Sequence, residues 1–327
     1  MTDPRTDRND SAATEYDVAI VGGGAGGLSA ATILARSLRK VVVIDAGVPR
    51  NAPAAGAHNV LGQDGISPLE LLARGRAEAI GYGAEIRSGT VVDARRDPDG
   101  DRFTLDVDSG DTVTARRVIL ATGLVDELPA IDGVSELWGR DVLHCPYCHG
   151  YEVRGKRIAV IATAPMSAHQ ALMFGQFSDQ VTVIAHAPDA LSEDDRSHLV
   201  ASDIDIIDHT VERVLVREDA DPERLGGVLL SEGTVLDVDA VVVSPRFVVR
   251  GELFERLGGT LTDGPAGGLV ETGPMGETDV PGVWAVGNTT TIHAMVTVAM
   301  GEGVSAGAAA NASLVMADLE QKPAPVG

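Results

Sequence analysis

A chain of 327 residues that is 44% apolar and 23% charged is long enough for one large domain or two ordinary ones, and its globular composition excludes a wholly disordered protein. No apolar run approaches the ~18 residues of a membrane-spanning helix. The 26 basic and 48 acidic residues leave a net charge of −22, which repels phosphate backbones and argues against a nucleic-acid partner.

The elements follow in chain order. Met1 to Thr14 is polar and charged, without the apolar core of a secretion signal; it is read as a flexible leader, and a reducing, cytoplasmic compartment is expected. Tyr16–Val21 is a compact apolar strand, Gly22–Gly27 a glycine loop, Leu28–Leu38 an Ala- and Leu-rich helix, and Val41–Ile44 a buried strand ending at Asp45. Together they make one βαβ unit. Val113–Ala121 is a further strand leading into the turn Ala121-Thr122-Gly123. A second βαβ unit begins near Arg157, with strand Ile158–Ile161, helix Ser167–Phe177 and strand Val181–Ile184. Extended pieces follow at Ile204–Val216, Val228–Ser231 and Val238–Val243. The strand Gly282–Val286 runs into Gly287-Asn288 and a long small-residue helix from about His293 to Leu319, and Gln321–Gly327 is a short tail. One nucleotide-binding fold is therefore duplicated, the second copy set inside the first.

The glycine loop supplies Gly22, Gly24 and Gly27 in the spacing GxGxxG. The first makes the strand-to-helix turn, the second admits a pyrophosphate close to the backbone, and the third lets helix and strand pack tightly. The helix N-terminus then offers amides and a positive dipole to the phosphates. Asp45 closes the next strand, where a carboxylate can accept from a ribose hydroxyl.

Cys145-Pro146-Tyr147-Cys148 holds both cysteines of the chain, too few for a disulfide scaffold. With His149 it spells C-x-x-C-H, the attachment pattern of c-type haem, but that attachment occurs outside the cytoplasm. Zinc needs four ligands, and His144, Cys145, Cys148 and His149 are too crowded to close a tetrahedron, so no metal is expected. The remaining reading is a thiol–disulfide pair whose thiolates neighbouring imidazoles favour. His58, His186, His198 and His209 fall in polar loops or near strand ends and are read as solvated, and His169 as packing or surface. His144, His149 and His293 remain as candidate proton carriers, His149 first. In the second βαβ unit, Ala162 and Ala164 stand where a dinucleotide loop carries glycines, and no arginine follows the next strand to meet a 2′-phosphate.

The glycine loop with Asp45, the turn Leu120–Gly123, the run Cys145–Glu152 (CPYCHGYE) and Pro281–Asn288 (PGVWAVGN) together resemble the low-molecular-weight thioredoxin reductase family, from Tyr16 to Leu319. The resemblance implies FAD bound by Gly22, Gly24, Gly27, Asp45, Gly287 and Asn288, and redox chemistry at Cys145 and Cys148, Cys145 facing outward. It also implies a homodimer. The fold class is α/β: two Rossmann-like, three-layer ββα nucleotide-binding domains, an FAD domain of 1–122 plus 245–327 and an inserted, degenerate NAD(P)H-like domain of 123–244. Three departures stand out. His149 replaces the acid after the second cysteine, Asn288 replaces an aspartate, and the glycine loop and basic run that hold NADPH are missing. These resemble the branch that oxidises dithiols of disulfide natural products, such as the gliotoxin and holomycin dithiol oxidases. The expected activity is FAD-dependent oxidation of a small-molecule dithiol with O2 as acceptor and H2O2 as product, with Cys145, Cys148 and His149 catalytic. The alternatives are an NADPH-dependent thioredoxin-type reductase and a flavin-bearing redox switch that binds a partner protein.

Overall fold

The computed structural model describes residues 15–321 apart from 99, 218, 220, 221, 265 and 266, so the expected leader and residues 322–327 of the expected tail lie outside the described residues. The chain divides into two compact units, one of residues 15–49, 72–124 and 249–321, the other of 50–71 and 125–248.

In the first unit, strands Glu85–Ser88, Val41–Asp45, Glu15–Val21 and Thr112–Leu120 lie parallel in that order. Beside Thr112–Leu120, its late half pairs in parallel with Val283–Ala285 and its early half pairs antiparallel with Phe103–Val107, which carries Val91–Arg96. Strand side chains alternate between faces, and Glu15–Val21 shows why it must lie in the middle. Val18 and Ile20 pack among Leu34, Trp284 and Ala310 on the helical side. Ala19 and Val21 pack among Phe103, Leu105 and Phe254 on the other. Over residues 18–21 both faces are buried, so that stretch reads as one continuous apolar run.

The second unit repeats the plan with Asp205–Ile207, Val181–Ile184, Ile158–Ile161, Ala240–Val242 and Val142–Leu143, all parallel in that order. Ile158 and Val160 face the helical side with Phe174 and Leu199. Ala159 and Ile161 face an antiparallel sheet of Val211–Arg217, Arg224–Leu230 and Val235–Leu236, with Val214 and Val228 between. Each unit thus has helix, parallel-sheet and antiparallel layers, as the ββα reading anticipated.

Two expectations shift. Segment 50–71, placed by sequence in the flavin domain, clusters with the second unit. Its bonds explain this: Arg50 grips Asp126 at 2.6 and 2.8 Å, and the Asn59 amide donates to the Tyr147 carbonyl at 3.1 Å. The last helix begins at Val296 rather than near His293. The Asn288 side-chain amide donates to the carbonyls of Thr291, Ile292 and Ala294 at 3.1, 3.1 and 3.2 Å and holds that stretch as a loop. Among the described residues no helix is long and apolar enough to cross a membrane.

Candidate dinucleotide cradle and redox site

Strand order reverses in the first unit between Glu15–Val21 and Thr112–Leu120, and open α/β sheets bind ligands at the carboxyl ends of such strands. The glycine loop lies there. Gly22 has φ +107°, and a Cβ on it would stand 2.3 Å from the Ala121 carbonyl oxygen; one on Gly27 would stand 2.0 Å from the Gly22 oxygen. Both glycines are fixed by the turn itself. Gly24 differs, because a Cβ there would meet nothing within 4 Å. It is also the N-cap of helix Ala25–Arg36, and among the described residues no side chain caps that helix. Open space over a glycine backbone, beside uncapped helix amides, fits a diphosphate.

The other parts of the expected cradle sit in the same unit. A Cβ on Gly26 would lie 3.2 Å from the Val286 side chain, and one on Gly303 would lie 2.1 Å from the Gly26 oxygen, so the loop and the last helix touch backbone to backbone. Gly287, at φ +72°, donates its amide to the Glu302 carboxylate at 2.6 Å, and Glu302 also accepts from Thr291 Oγ1 at 3.1 Å. Thr289 Oγ1, fully buried, accepts from the Gly123 amide at 2.7 Å and ties the Ala121–Gly123 turn to the Gly287-Asn288 turn. Asp45 is already engaged: it accepts from Arg76 at 2.5 Å and from the Gly47 amide at 3.1 Å. Sequence reasoning missed Arg76, Thr289 and Glu302. The Gly287-Asn288 motif could have pointed to Thr289, its next residue; nothing in the sequence pointed to the other two.

In the second unit, Val142–Leu143 pairs beside Ala240–Val242 and delivers His144 and Cys145 at the carboxyl end of the sheet. Cys145 then caps the single turn Pro146–His149, and both cysteines are free thiols. A hydrogen bond from the Cys148 thiol, helped by the amides of Cys148 and Tyr147 and by the Arg50 guanidinium, pulls the Cys145 thiol down to about 7 against its burial. The same bond, with burial, pushes Cys148 up. The pair is asymmetric, with Cys145 the thiolate. Arg50 is held in place by its Asp126 pair and by stacking 5.0 Å from the Phe247 ring centroid, and the edge of His144 meets the same ring at 5.2 Å.

His149 is largely buried, and neither ring nitrogen has a hydrogen-bond partner among the described residues. Burial holds its imidazole below the ordinary value, against an opposing pull from Glu152 and with a smaller push from His58 in the same direction as burial. At neutral pH it is an uncharged base. His144 lies 2.8 Å from the Gln170 amide at Nδ1, and its carbonyl accepts from that amide at 3.0 Å.

The loop after Ile158–Ile161 is closed on itself. The fully buried Ser167 hydroxyl accepts from the Thr163 and Ala164 amides at 3.3 and 3.4 Å. It lies 3.3 Å from the Ser244 hydroxyl, which donates to Gln170.

Two histidine readings are corrected. His186 is not solvated: its Nδ1 accepts from the Val211 amide at 3.0 Å, and burial lowers its pKa. His58 stands between two carboxylates, with Nδ1 3.3 Å from Asp64 and Nε2 3.4 Å from Glu152. His169, His198 and His293 are exposed, and His209 pairs with Glu232 at 3.3 Å.

The chain matches the pyridine nucleotide-disulphide oxidoreductase family over residues 16–303. It is 32% identical to thioredoxin reductase sirT of Leptosphaeria maculans, over 93% of this chain and 96% of that protein. It is 31% identical to thioredoxin reductase tcpT of Claviceps purpurea, over 93% and 95%. Among solved structures, HlmI superposes with a TM-score of 0.88 at 45% identity, covering 94% of each chain. With the family match running through both the glycine loop and the cysteine pair, the chain belongs to the pyridine nucleotide-disulphide oxidoreductase family, as a flavin-dependent, thioredoxin reductase-like disulfide oxidoreductase.

Proposed function

We propose that this enzyme binds FAD through Gly22, Gly24, Gly27, Asp45, Gly287 and Asn288 and oxidises a small-molecule dithiol to its intramolecular disulfide, with O2 as final acceptor. When bound, the flavin supplies the two-electron acceptor for the reduced cysteine pair and reduces O2 to H2O2. The protein's own residues handle the thiols. One substrate thiolate attacks the Cys145 sulfur of the Cys145–Cys148 disulfide, breaking that bond and releasing Cys148. His149, neutral and beside Cys148, takes the proton of the second substrate thiol. The new thiolate attacks the substrate sulfur of the mixed disulfide and expels Cys145, whose low pKa makes it a good leaving group. The products are substrate disulfide, a Cys145 thiolate and a Cys148 thiol. Of the two substrate protons, Cys148 keeps one and the other must leave through His149.

The observation that carries this reading is the His149 imidazole next to the cysteine pair, its ring nitrogens buried without a hydrogen-bond partner among the described residues and its pKa lowered by that burial. A base there suits removal of protons from thiols with pKa about 8.5. The closed Ala162–Ser167 loop supports it further, because the amides that would meet a nicotinamide dinucleotide's phosphates are bonded to Ser167. The reductase reading is favoured by two relatives, the thioredoxin reductases sirT and tcpT.

Anaerobic mixing separates the two. A small dithiol is expected to bleach the flavin's visible absorbance within turnover time, and NADPH at micromolar concentration to leave it oxidised; rapid bleaching by NADPH would sink the proposal. His149→Ala is expected to slow bleaching by dithiol about 10²–10⁴-fold, the usual contribution of a general base, with flavin content unchanged. The base works unprotonated and burial lowers the His149 pKa, so the wild-type rate relative to that of His149→Ala should hold above the ordinary imidazole pKa of about 6.5 and fall only below it. A rate that rises as pH falls would overturn the assignment.

A further inference from the structure

We propose that Glu152 and His58 carry the proton released by His149 from the second unit to solvent, through Asp64; the inference rests on the reading of His149 as the base. Both ring nitrogens of His149 are buried and have no hydrogen-bond partner among the described residues, so the one proton per turnover that must leave it passes to Glu152 across the cleft that both side chains line rather than straight to bulk water.

The cleft that His149 lines offers three carboxylates: Asp141, Glu152 and Asp239. Asp141 is taken by Arg224, at 2.8 Å to each oxygen, and by the Leu225 amide. Asp239 is taken by Arg157 at 2.7 and 2.9 Å. Glu152 has no arginine partner among the described residues. It sits one turn past His149, its amide bonded to the His149 carbonyl at 3.2 Å, and its side chain is 42% exposed. The cations on the same cleft, Arg140, Lys156 and Arg224, already carry their protons and cannot accept another.

His58 continues the line. Its Nε2 faces Glu152 at 3.4 Å and its Nδ1 faces Asp64 at 3.3 Å. An imidazole bracketed in this way accepts a proton on one nitrogen and releases the other from the opposite nitrogen, so charge balances at each transfer. Asp64, 68% exposed on its side chain, is kept ionised by the Asn59 amide, at 2.9 Å, and by His58, and it delivers to water. The loop is pinned for this task. Asn59 adopts φ +61°, a left-handed conformation asparagine tolerates, and its side chain holds the Tyr147 carbonyl inside the cysteine turn.

The test uses the flavin-loaded full chain, a small dithiol and bleaching of the flavin, with imidazole buffer varied at constant pH and ionic strength. Wild type is expected to be insensitive to buffer. Glu152→Gln and His58→Phe are each expected to slow at low buffer by about tenfold or more, within the range of proton-transfer catalysis, and to recover as imidazole rises, because the buffer replaces the missing carrier. In an NMR pH titration, His149 should titrate lower in Glu152→Gln than in wild type, since that carboxylate raises it. Wild-type rates in both variants, or slowing that no buffer repairs, would overturn the route. If His149→Ala is itself indifferent, the base assignment fails instead; if it is slow while both relay variants run at the wild-type rate, only the route fails. Unchanged melting and flavin content in the variants separate either result from misfolding.

Discussion

Cys145→Ser is expected to stop dithiol-driven reduction of the flavin altogether, since a serine oxygen neither forms the mixed disulfide nor leaves from it. The more informative pair is Cys148→Ala against Cys148→Ser. The largest influence lowering the Cys145 thiol is the hydrogen bond donated by Cys148, ahead of the amides of the turn and Arg50. Alanine removes that donor, so the Cys145 pKa should climb from about 7 towards the ordinary thiol range. Serine keeps a hydroxyl donor and should leave it lower than alanine does. The measurement is the pH profile of alkylation by iodoacetamide, read by mass at each cysteine. In the reduced wild type Cys145 should be modified first, with a midpoint near 7. An unmoved midpoint in Cys148→Ala, or Cys148 modified first in wild type, would reverse the roles of the two sulfurs.

The glycine loop gives the second large effect, through two substitutions of identical chemistry. Gly27→Ala places a methyl 2.0 Å from the backbone oxygen of Gly22, which no side-chain rotation can relieve. The loop must open, at a cost of a few kcal/mol or more, as for other overpacked sites (~1–3 kcal/mol), and the first unit should melt lower and lose its flavin. Gly24→Ala places the same methyl in open space, at a φ of −75° that any residue adopts. It should melt like wild type and still bind flavin poorly, because the methyl lies over the backbone a diphosphate must approach. Thermal melting and flavin absorbance of the two purified variants decide it. Full flavin occupancy in Gly24→Ala would remove the cradle from that position.

The parts legible in the sequence were those where backbone geometry dictates residue type. Residues 18–21 and Ile158–Ile161 are apolar on both faces because both faces are covered, and Gly22 and Gly27 are glycine because carbonyl oxygens stand where a Cβ would be. Short or half-exposed elements wrote no such pattern. Val142–Leu143 is two residues long, yet it aims the cysteine pair. Helix Pro68–Gly81, which brings Arg76 to Asp45, mixes charge and glycine around its circumference and offered no stripe to read. His58 looked solvated because its partners, Asp64 and Glu152, are defined by how segment 50–71 packs, and only Asp64 is near in sequence. Ser167 looked like an ordinary helix-start residue, with nothing to mark that its hydroxyl turns back onto the loop.

That hydroxyl makes the second unit's loop hard to reverse. Restoring glycine at Ala162 and Ala164 would leave the Thr163 and Ala164 amides still bonded to Ser167. Removing Ser167 would strand the amides it holds and leave Ser244 with Gln170 alone, and Gln170 also fixes His144 beside Cys145. The glycines alone therefore free no amide, and loss of the serine alone leaves polar groups unmatched, at about 1–3 kcal/mol each, before any phosphate affinity appears. A phosphate-binding glycine loop at this place would therefore take several changes made together, since the glycines and the serine act on the same two amides.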